Sequence, residues 1–503
     1  MTEHSNPTGP GLIVNSLARG AEARETLGAT GYSYEFVLRA FEPLLRRWGE
    51  VRRVERPESQ VDFAVRQMRR GGLAPVHLSF RPFSDAYLTR TAPNVIFPFW
   101  EFPDVPASDY KQNPRNHWVR IANRASLVLT ASRFTAAALL RAGMRTPVRI
   151  VPVPVADDYF HLPDWNGAET ITLDCPAYVF TRPDVPPILL DDPEDRPGPD
   201  STPFRVKHWL RSLARRVWVD GIKPLLPLRL TKAIVAGKNA AKRAWREGEL
   251  ELPTPDDRLT LSGVVYTTIL NPDDHRKNWQ DLLTAFLLAV GDRADATLVV
   301  KLVTSSAAPV REVLGFYYKC GLAHRARVAF VTSYLSEEQM RSLARASTYY
   351  LNASRAEGAC LPLQDFLAGG RPGVAPVHTA LADYFDDQVG FVVASHAEPC
   401  AWPDDESGRL NTSWHRIDWS SLREQIAAAY QTAVARPQAY GQLASAARQR
   451  MTAWASAEAV WPKLTEALAC VASAEATISP HVAFRSAKVA FAAREPDDYR
   501  EVA

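Results

Sequence analysis

A chain of 503 residues is too long for one ordinary domain, and its net charge of +3 excludes a polyelectrolyte binder as a whole. Hydrophobic residues make up 46% and charged residues 23%, the balance of a globular protein. The five cysteines (Cys175, Cys320, Cys360, Cys400, Cys470) are scattered, with no Cys-x-x-Cys pair and no zinc spacing, so buried thiols in a reducing compartment are expected and a structural metal site is not.

The N-terminal stretch lacks a basic region followed by an apolar one, so no signal peptide is expected. The apolar run around Leu282–Val290 is too short to span a bilayer. The expectation is a soluble, cytoplasmic protein, with contact to the inner face of a membrane left open.

Leu12–Asn15 reads as a strand and Tyr34–Trp48 as a helix whose apolar face carries Phe36, Leu38, Phe41, Leu44 and Leu45. Val76–Phe80, Asn94–Phe99 and Ser126–Thr130 read as further strands, Arg133–Ala142 as a helix and Val148–Val151 as a strand. Strands alternating with helices at these intervals predict a parallel sheet covered on both faces.

Composition then changes. Residues 183–203 hold seven prolines and six acids, a composition that sustains neither helix nor central strand. Residues 204–246 carry twelve Lys/Arg against the single acid Asp220, interleaved with Trp209, Leu213, Val217 and Trp245. Two partners suit this basic segment: an anionic membrane surface, or the acidic stretch just before it. Nucleic acid is not expected, since no nucleic-acid motif accompanies it.

The alternation resumes with strands at Leu259–Thr267 and Ala296–Val303 and a helix at Trp279–Val290. A helix at Glu337–Ala346, a strand at Tyr349–Asn352, a helix at Pro362–Gly369, strands at Val374–Ala375 and Gly390–Val393, and a helix at Trp419–Val434 follow. Two α/β units therefore flank an unusual insertion.

The densest motif is Ser354-Arg-Ala-Glu-Gly-Ala-Cys-Leu-Pro-Leu-Gln-Asp365, followed by Phe-Leu-Ala-Gly-Gly-Arg-Pro372. It leaves a strand and opens a helix with Pro362 in its first turn. Backbone N–H groups of Gly358, Ala359, Cys360 and Leu361 are then unpaired and, with the helix dipole, suit a diphosphate and sugar hydroxyls. Glu357 and Asp365 are acceptor-only groups suited to hydroxyls.

A second motif, Asn271-Pro-Asp-Asp-His-Arg-Lys-Asn-Trp279, puts Arg276 and Lys277 at a helix start, which is unfavourable unless an anion sits nearby. A third, Asn94-Val-Ile-Phe-Pro-Phe-Trp-Glu-Phe-Pro103, brings Glu101 out at the C-terminal end of a strand, where ligands of open α/β sheets bind. His77 follows the same rule. Gly28 and Gly31 lie in the first strand-to-helix turn without completing a Gly-x-Gly-x-x-Gly pattern.

The string from Glu357 to Pro372 resembles the acidic signature of retaining family 4 glycosyltransferases: an acid before Gly-x-x-Leu-Pro, a second acid eight residues later, then small-Gly-x-Pro. The departure is the second acid, which is normally Glu and here is Asp365. The resemblance covers roughly residues 12–160 and 259–470. It implies an α/β chain of two Rossmann-like domains facing a cleft (GT-B), with the Pro-rich and basic insertion between them.

The resemblance assigns an N-terminal acceptor domain over 1–160, the insertion over 161–258 and a nucleotide-sugar domain over 259–470. The tail over 471–503 is a candidate to pack back on the first domain. It also implies roles: Glu357 on the donor sugar, Asp365 on the ribose, Arg276 and Lys277 on the diphosphate. Glu101 would position the acceptor, and Gly28, Gly31 and His77 would line the acceptor side. The expected activity is transfer of a sugar from a nucleotide-sugar to a glycan or lipid-linked acceptor hydroxyl, with retention. The absence of any Asp-x-Asp triplet points away from metal, and no cofactor is expected. The alternative is a non-catalytic GT-B subunit acting as a scaffold.

Overall fold

The structure is a computed structural model that describes residues 9–17, 32–182, 254–402 and 410–477. Gly28, Gly31, the Pro-rich stretch and the basic segment 204–246 lie outside the described residues, as does the tail after 477.

The first domain is built on a parallel sheet in the order β2-β1-β3-β4-β5-β6. Its strands are β1 (Gly9–Ser16), β2 (Glu50–Arg53), β3 (Leu73–Phe80), β4 (Asn94–Ile96), β5 (Leu127–Thr130) and β6 (Val148–Ile150). Strand interiors such as Leu12–Val14 and Val76–Phe80 are buried, because crossover helices cover both faces of such a sheet. One of these helices is α1 (Tyr32–Trp48), which places Leu38, Phe41, Leu44 and Leu45 in the core while Phe36 stays half-buried. Another is α2 (Pro57–Arg70), absent from the sequence reading, which buries Val61, Ala64, Val65 and Met68 on a helical period.

The second sheet runs β15-β14-β13-β10-β11-β12-β8. Its parallel strands are β10 (Val264–Leu270), β11 (Ala296–Leu302), β12 (His324–Val331), β13 (Tyr349–Leu351), β14 (Gly373–Pro376) and β15 (Gly390–Val393). The edge strand β8 (Ala177–Arg182) pairs antiparallel with β12, and β7 (Ile171–Leu173) pairs with β9 (Leu259–Leu261). Residues 171–182, read above as insertion, are thus strands of the second domain. The stretch 304–336, left unassigned above, holds a helix (Ala307–Cys320) and β12.

The C-terminal boundary also moves. The last described helix (Ala457–Thr477) leaves the second domain and brings Val460, Leu464, Ala467, Leu468 and Val471 into the core cluster that holds Leu12, Val14, Leu38 and Phe41 of the first. Each such buried Val or Leu side chain contributes about 1.5–3 kcal/mol relative to exposure. The two chain crossings between domains are tied where Val155 N–H donates to Ala455 O at 2.9 Å. Helical periodicity shows that residues 457–471 have an apolar face; it does not say which sheet that face covers.

A hairpin of β16 (Ser395–Ala401) and β17 (Asn411–Ile417) also reaches the first domain. Its Trp402 ring lies 5.7 Å from Trp100 and 5.6 Å from Tyr110. On the same side Arg133 Nε donates to Asp383 at 2.8 Å, so an ion pair spans the two domains.

Candidate functional site

In the second sheet β11 and β12 lie to one side of β10, and the chain then returns to lay β13 on its other side. The crevice beyond the C-terminal ends of β10 and β13 is thus a topological switch point, where open α/β sheets bind ligands. The loop after β10 carries Arg276 and Lys277; the loop after β13 carries Glu357. From the facing domain, the loop after β4 carries Glu101.

These four side chains meet. Lys277 Nζ donates to Glu357 Oε1 at 2.6 Å, and Arg276 Nη1 donates to Glu357 Oε2 at 3.1 Å. Arg276 Nε lies 3.2 Å from Glu101 and 3.0 Å from Asp274. Arg276 Nη1 also donates to Ala356 O at 2.8 Å. Burial pushes the Glu357 carboxyl up, but the cations outweigh it and hold the group at about 2. Glu357 is therefore ionised throughout the physiological range.

Burial likewise pushes Glu101 up, opposed by Arg276, and the balance stays above the ordinary carboxylate value. The Arg276 guanidinium is pulled down by burial and pushed further up by Glu101, Asp274 and Glu357. Three carboxylates share two cations here, so an incoming anion competes with carboxylates the protein already supplies.

The turn after Glu357 is shaped by backbone geometry. Cys360 has φ of +54° and precedes the helix Leu361–Ala368. Ala359 O accepts from Tyr384 Oη at 2.8 Å and from Gln364 Nε2 at 3.0 Å, which pins the turn. Gly358 packs on the backbone of Trp100 in the other domain, where a Cβ would sit 3.5 Å from Trp100 N and O. Burial, with the Glu357 charge behind it, pushes the Cys360 thiol up to about 12, so it is not a nucleophile.

Asp365 is not drawn into the cluster. It is half-buried in the second turn of the helix, and among the described residues its carboxyl has neither ion pair nor hydrogen bond. Burial raises it from 3.8 to about 8. The folded state therefore keeps a proton that the unfolded chain releases, so this group's stabilising effect is complete below about pH 4 and is lost as pH rises to about 8. Asp365→Asn should remove that slope. Melting curves between pH 5 and 9 are expected to show the variant gaining on wild type as pH rises; parallel profiles would contradict the burial argument.

The structure corrects the placement of His77. Its ring is fully buried within the first sheet, with Nε2 2.7 Å from Asn15 Nδ2 and Nδ1 3.1 Å from Asn94 Oδ1. Burial lowers it to about 4, so it is a neutral core group rather than a lining of the cleft.

The structure also brings in residues that sequence reading passed over. Asn352 Nδ2 donates to Cys360 Sγ at 3.1 Å, and Asn278 Oδ1 accepts from Arg355 at 3.2 Å. Glu357 N–H donates to Thr379 Oγ1 at 3.0 Å. Asn278, Cys360 and Thr379 are three of the four non-glycine residues with positive φ among the described residues, and all three border Glu357 or its cations. No string in the sequence signals that convergence. Among the described residues, no three His, Cys, Asp or Glu side chains gather as a metal would require, and no helix is long and apolar enough to cross a membrane.

No family model matches the chain, and no curated protein matches it. Among solved structures it is similar to sucrose-phosphate synthase from Thermosynechococcus elongatus, at 13% identity over 92% of this chain and 100% of that one, with a TM-score of 0.50. HepE from Anabaena, solved with UDP and glucose, is 13% identical over 92% of this chain and 99% of that one, with a TM-score of 0.48. A glycosyltransferase from Rickettsia africae is 10% identical over 94% and 100%, with a TM-score of 0.47. At such identity the likeness to sucrose-phosphate synthase speaks for the fold alone: two Rossmann-like α/β domains facing each other across a cleft.

Proposed function

We propose that the chain is a glycosyltransferase that moves a sugar from a nucleoside-diphosphate donor to an acceptor hydroxyl, the donor held by the second domain. One observation carries the reading: Glu357, Arg276 and Lys277 join at the switch point of the second sheet, with Glu101 facing them from the first. Arg276 and Lys277 neutralise the diphosphate and stabilise it as a leaving group, taking the place of a divalent metal. Glu357, ionised and rigidly held, accepts hydrogen bonds from sugar hydroxyls. The half-buried, unpaired Asp365, protonated below about pH 8, both donates to and accepts from the ribose hydroxyls, directly or through water.

In this reading the acceptor enters from the side of Glu101, which gives up Arg276 when the diphosphate arrives. Departure of the diphosphate and attack from the same face retain the anomeric configuration, with the leaving phosphate taking the acceptor's proton. A lipid-linked acceptor would bring the basic segment 204–246 to an anionic surface.

The test is a panel of nucleotide-sugars screened by thermal shift, then by donor hydrolysis, with and without EDTA. Acceptors are offered free and in anionic vesicles. Stabilisation by at least one donor and EDTA-resistant release of nucleoside diphosphate are expected. Inertness toward every donor would defeat the proposal, and activity abolished by EDTA and restored by Mn²⁺ would defeat the metal-free version of it.

A further inference from the structure

Beneath Glu357 lies a buried hydrogen-bond chain that none of the roles above uses. His378 is buried, with Nε2 3.0 Å from the carbonyl oxygen of Ser354 and Nδ1 3.1 Å from Thr379 Oγ1. Thr379 Oγ1 in turn accepts from the backbone N–H of Glu357 at 3.0 Å. A carbonyl oxygen can only accept, so Nε2 carries the ring proton. In the neutral ring Nδ1 then accepts from the Thr379 hydroxyl, and the hydroxyl's lone pair is left for Glu357 N–H. Every polarity in the chain follows from that one carbonyl.

The ring's surroundings agree with a neutral state. His415 from β17 stacks on His378 at 4.3 Å with 18° between the planes. Burial, then the neighbouring His415, lowers His378 to about 3, against the attraction of Glu357. The backbone at Thr379 is itself strained: φ is +50°, a region that a β-branched side chain rarely enters. Such strain persists only where the surrounding contacts over-determine it.

We infer that Thr379 and His378 are positioning residues for Glu357: the strained Thr379 hydroxyl, oriented by His378, sets the backbone from which the Glu357 carboxylate reaches the donor sugar. The inference rests on the function proposed above. It predicts that Thr379→Gly, which relieves the left-handed backbone while removing the hydroxyl, loses activity without losing stability.

The experiment compares Thr379→Gly, Thr379→Ser and Thr379→Val with wild type. Thr379→Gly should lower kcat by about 10- to 100-fold, since a misplacement of about 1 Å is enough for that. Its KM for the donor should hold within about threefold, because Arg276 and Lys277 still grip the diphosphate, and its Tm should stay within about 3 °C. Thr379→Ser keeps the hydroxyl and should restore kcat to within about threefold of wild type. Wild-type kcat in Thr379→Gly, or no rescue by Thr379→Ser, would overturn the inference. If wild type consumes no nucleotide-sugar, the functional reading has failed instead. The relay is then read by melting alone: Thr379→Val, of similar shape but without the hydroxyl, should melt below Thr379→Ser, and equal melting would overturn it.

Discussion

Glu357→Gln and Lys277→Ala are each expected to lower the rate of the proposed sugar transfer by about 10²–10³, a loss of about 3–4 kcal/mol of transition-state stabilisation. The size follows from burial. Glu357 is 3% exposed and its charge is held by two cations within 3.1 Å, so its field acts in a poorly screened environment. Glu357→Gln keeps the shape while removing the charge and turning one of the two acceptors that face Lys277 and Arg276 into a donor. Lys277→Ala removes a cation that the proposed function sets on the leaving diphosphate, but leaves Arg276 to pair with Glu357. Breaking a buried pair outright is strongly destabilising, so this remaining partner decides whether the variant folds. Circular dichroism and melting should therefore look close to wild type. Near-normal turnover in either well-folded variant would refute the assignment of the site.

Arg371→Ala should be the most destabilising single change in the second domain, by at least about 4 kcal/mol. The Arg371 side chain is fully buried and is held by backbone carbonyls. Its Nε donates to Ala344 O at 3.1 Å, Nη1 to Gly369 O at 2.8 Å, and Nη2 to Pro163 O at 2.9 Å and Arg345 O at 3.1 Å. It thus staples the C-terminal end of the helix Glu337–Ala346, the end of the helix carrying Asp365, and the linker between domains. Truncation strands these oxygens, each at about 1–3 kcal/mol if unsatisfied, and opens a cavity beneath them.

Against a typical total of about 5–15 kcal/mol, that loss is a large fraction. A fall in Tm of roughly 8–16 °C is expected. Arg371→Lys should recover little of it, because one ammonium cannot reproduce the planar fork. Differential scanning calorimetry reads the outcome, and a drop below about 3 °C for Arg371→Ala would contradict the staple.

Both variants bear on how far the string Glu357–Pro372 could be read. Its spacing exposed an acid, a turn and a helix opened by Pro362, because these are local: Pro sets φ at a helix start and an acid tolerates an N-terminal turn. Arg371, by contrast, stood in the sequence as one more letter of a Gly-Gly-Arg-Pro run. Its four acceptors come from three separate segments that only folding assembles.

What the sequence by itself determined was the α/β alternation, the strands and helices flanking each motif, and the acids and cations that populate the site. Hydrophobic period and turn chemistry act over a few residues, so they are legible there. Only the tertiary structure decided which groups share the crevice. It put Glu101 against Arg276 across 175 positions of chain, joined Thr379 to Glu357, and withdrew His77 into the sheet. It also placed Ala177–Arg182 on the edge of the second sheet, paired Ile171–Leu173 with Leu259–Leu261, and sent the helix Ala457–Thr477 to the first domain. An edge strand and an amphipathic helix both advertise an apolar face. Which surface that face covers depends on the geometry of the whole chain, because burial rewards any apolar contact and the sterics of packing select among them.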